Sequence, residues 1–135
     1  MKPVFQSSTD PERGDCQRAA IASLFDLELE QVPNFRLFPD SNWHKVYWHF
    51  LLSLGWEYNG CASASRHIEF LNYENINGFY YAVVKSRTNP GRFHSVIIDS
   101  AGVVAHDPNP SQSFLGVNVI QTGELEVVHI IERIK

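Results

Sequence analysis

Phe93-His94-Ser95-Val96-Ile97-Ile98-Asp99-Ser100-Ala101-Gly102-Val103-Val104-Ala105-His106-Asp107-Pro108 reads as one β-hairpin. Two runs rich in β-branched residues flank a short cluster of turn formers, and the chain stops extending at a proline. A two-residue turn at Ser100-Ala101 pairs Asp99 with Gly102. It sets His94 directly opposite Asp107 on one face, with Cβ atoms roughly 4.5–5.5 Å apart. A three-residue loop, with Gly102 left-handed, would shift the register by one and set Pro108 there instead.

Outward from the hairpin, strand signals fill the second half of the chain. Phe79 to Val84 is a strand ended by the loop Ser86-Arg87-Thr88-Asn89-Pro90-Gly91, and Leu125 to Ile131 is the last. The first half is helical. Cys16 to Phe25 is rich in small residues, with Asp15 suited to cap its start and Cys16 in its first turn. Leu27 to Val32 forms a short turn stopped by Pro33. Trp43, Val46, Tyr47, Phe50, Leu51 and Leu54 repeat at helical spacing, with Asp40 or Ser41 as cap and Gly55 as stop. Trp43, Tyr47 and Phe50 are expected in the core. Helices followed by an antiparallel meander make an α+β domain covering 1–135, not an alternating βαβ fold.

Composition removes several classes of function. Of 135 residues, 44% are apolar and 19% charged, so a real core forms and disorder is excluded. Fifteen acidic against eleven basic residues give a net charge of −4, and the cations do not cluster. Nucleic acid and anionic membranes are therefore poor partners. The first residues hold no signal-like apolar run, and no stretch reaches the roughly 18 apolar residues of a membrane span. The expected compartment is the cytoplasm, where Cys16 and Cys61 stay reduced. His44 and His49 lack the spacing of a metal pair, His106 and His129 fall on strands, and no Cys-x-x-Cys exists. No metal or cofactor is expected.

Three residues can carry chemistry together. A thiol at a helix start gains from unpaired N–H groups and the helix dipole, which favour an anion. Its ordinary pKa of about 8.5 leaves little thiolate at neutral pH, and a neighbouring imidazole supplies the rest by taking the proton. The imidazole needs an acceptor on its other nitrogen to fix its orientation. Cys16, His94 and Asp107 fill these roles, with Asn109 as another group able to orient a ring. Each alone has a duller reading: a lone cysteine in a small-residue helix is usually an inert hydrophobe. Cys61 has neither helix context nor a placed partner and reads as structural.

Gly14-Asp15-Cys16-Gln17-Arg18-Ala19-Ala20-Ile21-Ala22-Ser23-Leu24 resembles the nucleophile helix of papain-like cysteine peptidases, most closely the C39-like branch. His94-Ser95-Val96-Ile97-Ile98 is similar to that branch's histidine strand, and Val103 to Pro108 to its strand ending in Asp-Pro. The order Cys, His, Asp also agrees. Two departures stand out. Gln17 follows the nucleophile where the branch usually has glycine, and Asp10 occupies the usual place of the oxyanion glutamine. Gln6 is the nearest earlier glutamine and takes that role if Ser7 to Arg13 forms a longer loop. The resemblance implies a papain-like core and a thiol protease-type hydrolase. It would cleave a peptide, isopeptide or related amide bond in a peptide or protein substrate, through an acyl-enzyme on Cys16. The same triad could pass the acyl group to an amine, as transglutaminase-like relatives do, and a silent scaffold would be a binding module.

Overall fold

Small side chains decide how the first helix sits. The computed structural model describes residues 1–9, 14–38, 42–63 and 73–135. In it α1 (Cys16–Leu24) buries Ala19, Ala20, Ile21, Ala22, Ser23 and Leu24 in succession, so more than one side of the helix is covered. The small Ala19, Ala20, Ala22 and Ser23 let neighbours close in from several directions around Ile21 and Leu24. On one side lies the N-terminal segment, where Ser23 Oγ accepts from Val4 N at 2.9 Å. Another side packs on the sheet. Two short 3₁₀ turns follow, Leu29–Gln31 and Phe35–Leu37, then α2 (Trp43–Ser53).

Asn42 occupies the N-cap position of α2. Asp40 and Ser41, expected as caps, lie outside the described residues. Gly55 ends the helical stretch with φ of +86°, a conformation glycine adopts without strain. The expected aromatic stripe is narrower than its periodicity suggests. Tyr47 and Leu51 are buried, whereas Trp43 and Trp48 are 37% and 41% exposed. Trp48 instead stacks on Tyr58 across the surface.

Among the described residues the sheet has five strands: β1 (Trp56–Ser63), β2 (Tyr80–Lys85), β3 (Phe93–Ile98), β4 (Val104–His106) and β5 (Leu125–Arg133). It is antiparallel throughout, in the order β1-β5-β2-β3-β4. Two expectations are corrected here. Only β2-β3-β4 is a meander; β5 returns to lie between β1 and β2, because Leu125, Val128, Ile130 and Ile131 are buried and need neighbours on both edges. β1 was not expected at all. Its Asn59-Gly60 pair has the look of a hairpin turn, but here it makes a bulge, with Gly60 at φ +96° and the register shifting between Tyr58 and Cys61.

The β3–β4 turn also differs from the two-residue reading. Asp99 N donates to Val103 O at 2.9 Å and Gly102 sits at φ +85°, so the loop has three residues. Asp99 Oδ1 holds it by accepting from Ala101 N and Val103 N. Ile98 therefore pairs with Val104, and a bulge then pairs Ile97 with His106. Apolar residues cover both faces. Ile21, Leu24, Phe35, Tyr47, Tyr81 and Ile97 pack on the helical side, and Val84, Val96, Ile98, Phe114, Val119 and Val128 on the other.

Gly102→Ala forces a side chain into the left-handed region and places a Cβ 2.4 Å from Ile120 Cδ1. The Ile120 tip can rotate away, but the backbone strain cannot be relieved. The variant should lose about 1–2 kcal/mol of stability in urea unfolding. An unchanged midpoint and slope would contradict this account of the turn.

Candidate active site

Cys16 opens α1, His94 lies near the start of β3, and Asp107 follows β4 directly. The fold brings all three together. His94 Nε2 donates to Asp107 Oδ1 at 2.6 Å, and the ring shares its cleft with the Cys16 thiol and acts on it electrostatically. Since Nε2 is engaged by the carboxylate, Nδ1 is the nitrogen left for sulfur. The pairing arises by a different route from the direct cross-strand one. The observed register, carried one residue past β4, sets Asp107 across from Val96. His94 shares that face two residues along, so it meets Asp107 as a diagonal neighbour.

Asp107 is fully buried, and a buried charge needs several partners. Besides His94, its Oδ1 accepts from Asn109 N at 3.0 Å and its Oδ2 from Phe114 N at 3.1 Å. The structure sets Asn109 beside Asp107, with its side chain bonded elsewhere. Its side-chain oxygen accepts from Ser111 N at 2.9 Å, and only its backbone serves the carboxylate. Phe114 stacks on the His94 ring at 6.1 Å between centroids.

The electrostatics follow from these contacts. Burial raises the Cys16 thiol, but the hydrogen bond and charge of His94, with hydrogen bonds from the Ser95 backbone and hydroxyl, bring it below its ordinary value. Burial likewise opposes charge on His94. Its bonds to Asp107 and Cys16, and their fields, prevail and raise it to about 9. Burial raises Asp107 too, and His94 with the two backbone N–H donors pulls it below the usual carboxylate range. All three shifts favour a thiolate facing an imidazolium that is backed by a carboxylate.

Gln6 lines the same cleft as Cys16 and His94. Its side-chain Nε2 donates to Ser8 O at 2.6 Å, and Oε1 is buried with no partner among the described residues. The segment carrying it is fixed from two sides. Gln6 N donates to Pro108 O at 2.9 Å, and His106 Nε2 donates to Val4 O at 2.7 Å. From the other side, Asp15 accepts from Ser7 N at 2.8 Å, Ser7 Oγ at 2.6 Å and Ser8 N at 3.0 Å. Asp15 is the N-cap residue of α1, as expected, but its side chain makes no capping bond: the carboxylate is engaged by the N-terminal segment and, at 3.8 Å, by Arg18. Asp10 lies outside the described residues.

The cleft has two lobes. A polar lobe of about 390 Å³ is lined by Gln6, Asn89, Asn109, Ser111 and Ser113, and an aromatic lobe of about 670 Å³ by Phe35, Trp43, Tyr81 and Phe93. Cys16 and His94 belong to both. His129 also borders the aromatic lobe. Burial holds it near pKa 4, and its Nδ1 bonds Tyr47 Oη at 2.9 Å, so it is neutral at physiological pH. Cys61, expected to be structural, is exposed on β1; both cysteines are unpaired. Among the described residues, no group of His, Cys, Asp or Glu is arranged to hold a metal ion, and no helix is long and apolar enough to cross a membrane. The chain matches no protein-family model, no curated protein and no solved structure.

The contribution of Asp15 was hidden because an acidic residue before a helix normally reads as a cap. Nothing local shows that its partners lie seven and eight residues upstream. Asp15→Ala should leave the Ser7 and Ser8 N–H groups without their acceptor, lower stability by about 2 kcal/mol, and speed amide exchange at both positions. Unchanged protection at Ser7 and Ser8 would show that the segment is held without Asp15.

Proposed function

We propose that the protein is a thiol-dependent hydrolase built on a papain-like core, cleaving a peptide, isopeptide or related amide bond. The carrying observation is the chain of contacts from Cys16 through the His94 ring to the buried Asp107 carboxylate. A cleft whose two lobes meet at Cys16 and His94 suits a chain substrate that runs past the nucleophile.

In this reading the Cys16 thiolate attacks the substrate carbonyl carbon, and the carbonyl π electrons move onto oxygen. The Cys16 backbone N–H, at the helix start, and a Gln6 side-chain N–H stabilise that oxyanion. The oxyanion collapses, the C–N bond breaks, and His94 delivers its proton to the leaving amine. Water then attacks the thioester while His94 takes its proton, which frees the acid and returns the thiolate–imidazolium pair. Asp107 holds the ring in place throughout. An amine entering instead of water would make the same enzyme an acyltransferase.

The pH dependence follows from the two shifts. Cys16 must be ionised, which its lowered pKa allows below the thiol's ordinary range. His94 must be protonated, which holds up to about pH 9. Hydrolysis should therefore be bell-shaped in kcat/KM. Its ascending limb belongs mainly to the thiol and its descending limb, near pH 9, mainly to the imidazolium. A profile still rising through that pH would remove His94 as the acid.

Peptide-library hydrolysis, with the variants compared on whichever substrate emerges, tests the assignment of roles. Cys16→Ala should abolish turnover, and His94→Ala should cost about 10²–10⁴-fold. Asp107→Asn should be intermediate, since the amide oxygen still accepts from the ring, and Asn109→Ala should stay near wild type because its backbone N–H remains. Asn109→Ala falling below Asp107→Asn would reassign the orienting residue. Tight peptide capture with no cleavage and no acyl-enzyme would make the scaffold a binding module.

A further inference from the structure

Strand alternation sends His94 and Ser95 to opposite faces of β3. His94 joins Val96 and Ile98 on the side of Phe114, while Ser95 joins Ile97 on the side that α1 covers. Cys16, at the start of α1, lines one cavity with Ser95 and Tyr81, and the Ser95 backbone and hydroxyl act on its thiol. The Ser95 hydroxyl is itself held. Tyr81 pairs with Ile97 across β2–β3, so it is the diagonal neighbour of Ser95 on the same face, and its hydroxyl lies 2.5 Å from Ser95 Oγ. Both residues are nearly inaccessible, at 5% and 2% exposure.

We propose that Tyr81 and Ser95 form a second arm that holds the Cys16 sulfur as a thiolate, independent of His94. A thiolate can only accept, so Ser95 donates its O–H to sulfur. Ser95 Oγ then accepts, and Tyr81, which burial keeps protonated, donates to it. The bonds run one way, from phenol to hydroxyl to sulfur, and each polarises the next. Ser95 touches the reacting atom, and Tyr81 is a positioning residue behind it. Acylation turns the sulfur into a thioester, a far weaker acceptor, so this arm acts on the free enzyme and sets how much of it is ionised.

The inference rests on the hydrolase reading, and one experiment separates the two. The rate of Cys16 alkylation by iodoacetamide is followed against pH in a Cys61→Ser background. Ser95→Ala should move the ascending limb up by about one pH unit, the size of one hydrogen bond to a charged group. Tyr81→Phe should move it by less in the same direction, and Ser95→Thr should restore it. A merely structural role would lower the melting temperature and leave the limb in place. Folded Ser95→Ala and Tyr81→Phe proteins that overlay the parent profile would overturn the proposal. If Ser95→Ala does not fold, Tyr81→Phe decides alone: a raised limb supports the arm and an unmoved one refutes it. A parent protein whose Cys16 titrates like an ordinary thiol would sink the hydrolase reading and this one together.

Discussion

A carboxylate with no exposed surface has to be surrounded by donors, and Asp107 is surrounded by three. Leaving such a charge unpaired would cost several kcal/mol, so its partners are not free to wander. Two are backbone N–H groups, from Asn109 and Phe114, and they fix the loop after β4. The third is the His94 ring. Loop, sheet end and imidazole are thereby locked to one point, and the orientation of His94 toward α1 follows from it.

A second buried carboxylate works on the opposite side of the cysteine. Asp15 gathers Ser7 and Ser8, while Gln6 N reaches across to Pro108 O, one residue beyond Asp107. The N-terminal segment is thus stitched between the start of α1 and the end of β4. His106 and Ser23 add bonds to Val4 on the same segment. Two buried acidic residues thus serve different ends: Asp107 holds the His94 ring, and Asp15 seats the segment that carries Gln6. The positive field at the sulfur comes from the imidazolium and the helix start, since both carboxylates are spent on donors of their own.

The parts of this arrangement that were readable from sequence are those with local signatures. The small-residue helix and the β-branched run of β3 each declare themselves within a few residues, and so does a turn between Asp99 and Val103, though not its length. Where local chemistry admits two outcomes, the reading fails. Asn59-Gly60 serves a turn or a bulge equally well, and the choice depends on β5 arriving from far along the chain. Asp15 takes the N-cap position it suits, but its carboxylate is claimed by the N-terminal segment. The His94–Asp107 contact was anticipated from a register that the protein does not use. A three-residue loop and a bulge each shift the pairing, and the long reach of imidazole and carboxylate still joins them diagonally. Ser95 carried no signal, because a serine after a histidine shows its meaning only when α1 lies across it.

Proton occupancy of His94 at equilibrium is the quantity on which the whole account turns. It can be followed by NMR through the ring carbon-bound protons as pH is raised, without any substrate. In the intact protein His94 should remain an imidazolium through neutrality and titrate near pH 9, and Cys16→Ala should lower that value by removing the thiolate. A His94 ring that titrates close to its ordinary value of about 6.5, unaltered by Cys16→Ala, would contradict the ion pair.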